Sequence, residues 1–345
     1  MSENSPRPFQ TKIIDFNPSR MNEDEARNIP LELRPFVADK RQYPFNIARH
    51  FPTGILWFNP NQPWFYRNII SSEHEIASLS QNDTLILSGS GMSAYHFQEG
   101  NFNKLPKPED VNLLRRTEQL VRDQLGEGKW VLGICFGGQL AVHAIGGRIG
   151  RLPTKENGNT VTEAGWLDQQ STPEGQKDKV FGSLSKVFSA PHLHSDYVER
   201  LPAIGTEIRT SSGRIKVVNA KVLSVRSGYL DTEGLKNRLQ GYIQATVIEF
   251  DNGTKLYQIQ PHPEMATSDK ANFLVRQNPW IAKEMGEKYY AQALKIPLRA
   301  NMAVARIIPR FIEEAREAYE LQNKITFTRA AITQSLGRLT PYLIK

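Results

Sequence analysis

Residues 129–147 read Lys-Trp-Val-Leu-Gly-Ile-Cys-Phe-Gly-Gly-Gln-Leu-Ala-Val-His-Ala-Ile-Gly-Gly, and they constrain the fold more than any other stretch. Trp130 to Ile134 is an apolar run too short for a helix, and it predicts a buried strand. Gln139 to Ile145 predicts a helix that stops at Gly146 and Gly147. Cys135 stands between them, with Gly133 two residues before and Gly137 two residues after. A strand that turns sharply into a helix holds one side chain up at the strand end, and the flanking positions must be small. The residue held there is a thiol facing the amino end of a helix, whose N–H groups and dipole favour a thiolate. The plainer alternative is a small core residue closing a buried strand.

Cys135 is the only cysteine among 345 residues. No internal disulfide can form, no second thiol competes for the nucleophile's role, and a reactive thiol suits a reducing compartment; a cytoplasmic location is expected. Met1 to Arg20 is polar and lacks the apolar segment of a secretory signal. No apolar run reaches membrane-spanning length, so no membrane partner is expected. The formal charge is +7, but from Lys270 onward there are 13 Lys/Arg against 6 Glu, which leaves 30 of each sign upstream. That basic tail is interspersed with Glu and reads as a solvated helical face; with no recognised nucleic-acid motif, a nucleic-acid partner is not expected.

Two further stretches belong with the cysteine turn. Asp83-Thr-Leu-Ile-Leu-Ser-Gly-Ser-Gly-Met-Ser93 predicts a strand ending in a turn of small residues, and Leu256-Tyr-Gln-Ile-Gln-Pro-His-Pro-Glu264 predicts a strand followed by His between two prolines. Together the three resemble a class I (triad) glutamine amidotransferase domain, with its strand ending in Ser-Gly-Gly-Pro, its G-x-C-x-G-x-Q turn and its Q-x-H-P-E segment. Within that family the chain is similar to the GMP-synthase amidotransferase group. The resemblance covers about residues 52 to 268.

The pattern along the chain fits an α/β fold, a mostly parallel sheet with flanking helices of the flavodoxin-like kind, plus a helical carboxyl-terminal extension. Three parts are expected: an irregular leader at 1–51, the amidotransferase domain at 52–268, and a basic helical extension at 269–345. Strands are predicted at Gly54–Phe58, Thr84–Ser88, Trp130–Ile134, Lys216–Ser224, Tyr242–Phe250 and Lys255–Gln260, with β-like segments at Val161–Leu167 and Lys179–Ala190. Asp251-Asn-Gly-Thr254 is a hairpin signal. Helices are predicted at Ile69–Leu79, at Glu109–Leu125 with Gly126 as its exit, and in the tail at Phe273–Gln292, Met302–Gln322 and Arg329–Leu336, with Pro279, Pro297 and Pro309 as breaks. The stretch from Ser211 to Gly241 is longer than a minimal domain of the family needs.

The resemblance implies a chemistry. Cys135 would attack the glutamine side-chain amide, His262 would act as base and acid, and Glu264 would orient His262. In an extended segment, residues two apart share a face, so His262 and Glu264 can point to one place. The oxyanion would be met by the backbone N–H groups of Phe136 and Ser90. Ser-Gly-Ser-Gly-Met-Ser departs from the family's Ser-Gly-Gly-Pro; serine keeps its N–H, and the rigid proline is lost. Gly89, Gln139, His194, Ser195 and Asp196 would line the substrate. His192 beside His194 suggests a metal pair, but no carboxylate or Cys stands at ligand spacing in the sequence, so neither a metal nor another cofactor is expected. No phosphate loop, nicotinamide fingerprint or pyrophosphatase loop is present to activate an acceptor. The implied activity is a glutaminase that passes ammonia to a separate synthase, which the helical tail could dock. Two alternatives stay open, a stand-alone γ-glutamyl hydrolase with the same three residues and a catalytically silent regulatory relative.

Overall fold

A computed structural model of the chain describes residues 11–14, 69–70, 83–90, 92–101, 111–153, 160–227, 241–265 and 301–322. The expected strands at Thr84 and Trp130 form as β3 (Thr84–Leu87) and β4 (Trp130–Ile134), and every residue of both is buried. Near-continuous apolar runs of this kind belong to a parallel sheet covered on both faces. β3 lies parallel to β4, and β4 lies parallel to β12 (Lys255–Ile259), so the chain segments ending at Ser88, Cys135 and Gln260 leave the sheet side by side.

Two more strands extend this parallel block. β1 (Thr11–Ile14) pairs with β3 on one side and with β2 (Ile69–Ile70) on the other. The leader expected to be irregular thus contributes a sheet strand; Thr-Lys-Ile-Ile is rich in β-branched residues but too short to show a period. Ile69 and Ile70 form a strand rather than the start of a helix, for the same reason. The predicted strand Gly54–Phe58 lies outside the described residues.

On the far side of β12 the sheet turns antiparallel. β11 (Ile243–Phe250) joins β12 through the expected hairpin at 251–254, and β10 (Gly213–Arg226), β6 (Glu163–Ser171) and β7 (Val187–His194) follow in that spatial order. The α/β class holds, with parallel pairing where the cysteine sits and an antiparallel wing beside it. β7 begins later than its predicted segment, because residues 179–186 turn instead of extending. Shorter pieces are the helix α4 (Pro173–Lys177) and the strands β5 (Arg148–Arg151), β8 (Asp196–Arg200) and β9 (Glu207–Thr210), the strands pairing at the margins. Of the long stretch 211–241, residues 213–226 belong to β10, and 228–240 lie outside the described residues.

Alternation along the central strands divides the core in two. Leu85, Leu87, Val131 and Leu256 face α2 (Val111–Gly126) and α3 (Phe136–Ala144). Ile86, Leu132, Ile134, Tyr257 and Ile259 face the opposite way, onto Val304, Ile308 and Phe311. Those last three come from α5 (Asn301–Ala305) and the helix α6 at 307–322, the expected tail helix. The break between them is at Arg306, while Pro309 sits in the first turn of α6, where its missing N–H is not needed. This helix is therefore part of the core and not an appendage. The predicted helices at 273–292 and 329–336 lie outside the described residues.

α2 leaves through Gly128 rather than Gly126. Gly128 has φ of +85° and its N–H donates to Leu125 O at 3.2 Å, a left-handed helix exit. Gly126 stays helical, and a Cβ there would meet Thr210 Oγ1 at 2.6 Å, so its smallness serves the contact with β9. Among the described residues, no helix is long and apolar enough to cross a membrane.

Candidate active site

Cys135 is the only non-glycine residue with a positive φ among the described residues, at φ 50° and ψ −117°. Such a backbone costs about 1–3 kcal/mol and persists only where its surroundings over-determine it. Here they do. Cys135 N–H donates to Ile259 O at 2.7 Å on one neighbouring strand, and Gly137 N–H donates to Ser88 O at 3.1 Å beside the other. A Cβ on Gly133 would lie 2.4 Å from Gly138 Cα, and one on Gly137 would lie 2.6 Å from the carbonyl oxygens of Leu87 and Ser88. The two glycines predicted to be small have no room for anything else. α3 begins at Phe136, earlier than the predicted Gln139, so the helix starts directly behind the cysteine.

β12 delivers the second part of the site. After Ile259 the chain passes through Gln260 and Pro261 to His262, whose N–H donates to Pro191 O at 2.8 Å. Pro263–Met265 is a 3-10 turn, not the extended segment expected, and it brings Glu264 Oε1 to 2.7 Å from His262 Nδ1. Both side chains are buried. Burial alone would lower the His262 pKa, but the Glu264 carboxylate and Cys135, which hydrogen-bonds the ring, outweigh it and raise it to about 10. With Nδ1 occupied by Glu264, Nε2 is the nitrogen left for Cys135.

Gln260 was not singled out in the sequence, although it opens the Gln-Pro-His-Pro-Glu string. Its Nε2 donates to Cys135 Sγ at 3.5 Å, and its Oε1 accepts from Gln139 Nε2 at 3.0 Å. Gln139 Nε2 also donates to Asp196 O at 2.8 Å. Gln139 thus reaches the cysteine indirectly, through a second amide. Across the thiol lies Leu193 O, 3.8 Å from Sγ. Ser90 Oγ accepts from Met92 N–H at 3.1 Å, shaping the turn after β3, and Gly89 O accepts from Ser88 Oγ at 3.1 Å.

The predicted substrate-lining string His194-Ser-Asp196 spends its side chains elsewhere. The Asp196 carboxylate accepts from Ser93 Oγ at 2.6 Å and Tyr95 N–H at 3.2 Å, at the start of α1 (Ala94–Gln98), and pairs with Arg151 Nη1 at 3.0 Å. Ser195 Oγ lies 2.8 Å from Thr162 Oγ1. His194 Nδ1 lies 3.0 Å from Asp196 O, and its Nε2 lies 3.0 Å from Glu163 Oε2. Glu163 is fully buried, and Arg226 Nε donates to its other oxygen at 2.7 Å. Burial would raise the Glu163 pKa, but the His194 hydrogen bond and the charges of His194 and Arg226 hold it far below the usual range. His192, whose pKa burial lowers, sits 3.1 Å from His194 through Nδ1. Glu163, His192 and His194 place one ligand atom each within 4.8 Å of one another. The carboxylate absent from the local sequence comes across the β6–β7 ladder, where Glu163 and His194 are direct partners.

Residues 66–222 match the family model Glutamine amidotransferase class-I. That match spans just under half of the chain. The match contains Cys135 and ends before His262 and Glu264. Over 72 residues, 21% of the chain, it is 36% identical to a glutamine-hydrolysing GMP synthase of Thermosipho melanesiensis, covering 12% of that protein. Over 196 residues, 57% of the chain, it is 24% identical to a γ-glutamyl-L-1-hydroxyisopropylamide hydrolase of a Pseudomonas species, covering 52% of that protein. The chain thus matches about an eighth of the first relative's length and about half of the second's. A solved glutamine amidotransferase from Thermotoga maritima superposes with a TM-score of 0.51 at 13% identity, over 90% of this chain and 99% of that one. At that identity the likeness speaks for the amidotransferase fold.

Proposed function

We propose that the amidotransferase domain hydrolyses the side-chain amide of glutamine through a thioester on Cys135. The observation that carries this reading is the buried line Cys135–His262–Glu264, in which the elbow thiol hydrogen-bonds a histidine held 2.7 Å from a carboxylate. His262 already carries the proton of the Cys135–His262 pair, and the Cys135 sulfur attacks the amide carbon. The resulting oxyanion is met by backbone N–H groups of Phe136, at the start of α3, and Ser90. The C–N bond then breaks as His262 gives its proton to the departing nitrogen, which leaves as ammonia. Water, deprotonated by His262, adds to the thioester; glutamate leaves and the thiol is restored. Gln260 fixes the sulfur, and Gln139 fixes Gln260. Gly89, His194, Ser195 and Asp196 form the substrate wall through their backbone, since the three polar side chains are engaged elsewhere.

Ammonia would pass to a separate synthase subunit in the cytoplasm, in keeping with the absence of any acceptor-activating motif in the sequence and with the likeness to glutamine-hydrolysing GMP synthase. A second reading, a stand-alone hydrolase of γ-glutamyl amides, draws support from the longer match to the Pseudomonas hydrolase. The two differ in substrate and not in chemistry. Kinetics on glutamine and on N-alkyl γ-glutamyl amides, side by side, distinguish them: a kcat/KM at least tenfold higher for glutamine supports ammonia supply. The reverse ratio replaces it with the second reading, and no Cys135-dependent turnover of either substrate refutes both. Removing the whole tail is not a clean test of partner docking, because α6 packs against β4 and β12.

A further inference from the structure

The turn that carries the oxyanion donor Ser90 has glycine at position 91, where the family pattern has proline. Proline fixes φ and glycine frees it, so such a turn must be held from outside. Its start is held by backbone: Ser88 O accepts from Gly137 N–H at 3.1 Å, in the first turn of α3. Its end is held by one carboxylate. Asp196 Oδ2, on β8, accepts from Ser93 Oγ at 2.6 Å and from Tyr95 N–H at 3.2 Å. Ser93 Oγ in turn accepts from His96 N–H at 3.1 Å and caps α1.

The carboxylate is itself fixed. Arg151 Nη1 donates to Asp196 Oδ1 at 3.0 Å and to Ser93 Oγ at 3.2 Å, while Arg151 Nε donates to Thr160 Oγ1 at 3.1 Å. Arg151 and Asp196 are direct partners in the β5–β8 ladder. The Asp196 side chain is only 6% exposed, so water and salt screen the pair little. The carbonyl of the same residue serves the sulfur. It accepts from Gln139 Nε2 at 2.8 Å, Gln139 donates to Gln260 Oε1 at 3.0 Å, and Gln260 donates to Cys135 Sγ at 3.5 Å. Asp196 thus joins the end of the oxyanion turn, through its carboxylate, to the nucleophile, through its carbonyl.

We propose that the Asp196 carboxylate is a positioning group that sets the Ser90 turn against Cys135 for oxyanion binding. This rests on the amide hydrolysis proposed above, whichever amide is cleaved. The partners of the carboxylate are Ser93, Tyr95 and Arg151, and the Cys135–His262 pair is not among them. The reactivity of the sulfur is therefore independent of the carboxylate, whereas stabilisation of the oxyanion depends on it. One oxyanion donor is worth about 10²–10³ in kcat, so loosening one of two costs at least about tenfold. KM stays within about threefold, because Gln139 still holds the Asp196 carbonyl. Asp196→Asn keeps the shape but has one acceptor oxygen. Turned to Ser93 and Tyr95, that oxygen leaves the amide NH2 against the Arg151 guanidinium. Turned to Arg151, it leaves the NH2 against the Tyr95 N–H.

The test follows two reactions of the full-length chain. One is Cys135-dependent hydrolysis of glutamine and of N-alkyl γ-glutamyl amides. The other is exchange of the single thiol with 4,4′-dithiodipyridine, which needs a reactive sulfur but no oxyanion donor. Asp196→Asn and Ser93→Ala are expected to lose at least about tenfold in kcat while exchanging within about twofold of the wild-type rate. Ser93→Thr keeps the hydroxyl and holds kcat within about threefold. Glu199→Gln removes a different β5–β8 ion pair, that with Arg148 at 2.8 Å, and leaves both reactions unchanged. If Asp196→Asn does not fold by circular dichroism, Ser93→Ala carries the comparison. A folded Asp196→Asn with wild-type kcat overturns the proposal. So does a loss of kcat matched by an equal loss of exchange, or shared by Glu199→Gln, either of which would mark a merely structural role. A wild type that turns over neither amide overturns the reaction and this proposal together, whereas failure confined to the variants overturns this proposal alone.

Discussion

Replacing Glu264 by glutamine keeps the shape and the hydrogen bond to His262 but removes a charge. At 2.7 Å and an effective dielectric constant of about 20, a unit ion pair is worth about 6 kcal/mol. At about 1.4 kcal/mol per pH unit, that corresponds to about four units of pKa. His262 is buried, and burial pulls its pKa down. Removing the carboxylate therefore takes the ring from about 10 to below the ordinary value of about 6.5. At pH 8 the wild-type ring is an imidazolium able to give a proton to the departing nitrogen, and the Glu264→Gln ring is neutral. General acid catalysis is worth about 10²–10⁴ in rate, so kcat at pH 8 falls at least about a hundredfold. The deficit shrinks as the pH is lowered toward 5.5, because the variant ring regains its proton there. Glutamate release measured from pH 5.5 to 9 gives the profile, and imidazole NMR gives the protonation state directly. A wild-type His262 that is neutral at pH 8, or a rate loss in the variant that does not change with pH, would refute the reasoning.

Three further outcomes follow from the same geometry. The raised His262 pKa stabilises the fold fully below about pH 6.5, and that contribution drains away as the pH rises toward about 10; urea unfolding of the wild type weakens over that range, whereas Glu264→Gln shows a flatter profile. Gly137→Ala drives a methyl to 2.6 Å from two backbone oxygens. It costs about 1–3 kcal/mol, lowers the melting temperature by several degrees, and reduces glutamine turnover at least tenfold in the protein that remains folded. Phe311→Ala empties a fully buried site between Trp130 and Tyr257, whose rings lie 6.4 and 5.8 Å away. At about 3–5 kcal/mol, the melting temperature drops by about 10 °C; a change of under 2 °C would show that α6 is not part of the core.

What could be read from the sequence was what is local. The cysteine turn, its glycines and the His-Pro-Glu segment each occupy a few consecutive residues, and sterics alone dictates most of their geometry. The strands at Thr84 and Trp130 were legible because burial on both faces makes them continuously apolar. Contacts that depend on strand order were not legible. Glu163 is 29 positions from His192 and reaches it only because β6 and β7 pair. Gln260 was legible only as the first residue of the Q-x-H-P-E string; its contact with the thiol depends on the end of β12 lying beside the end of β4. Thr11–Ile14 carried too few residues to declare a strand, and its partners are far along the chain. The tail helix was found by its period, but nothing in that period told that it covers the sheet behind the cysteine. Gly126 shows the limit of punctuation: two glycines stood near the helix end, and close packing against Thr210 decided which served as the exit.

The central claim is that Cys135 is the nucleophile of an amide hydrolysis, and it is tested most directly by incubating the purified chain with glutamine. Glutamate and ammonia should appear in equal amounts, with none above background from Cys135→Ala. Equal turnover by the wild type and Cys135→Ala would contradict the account, as would a folded wild type that releases glutamate from neither glutamine nor any γ-glutamyl amide.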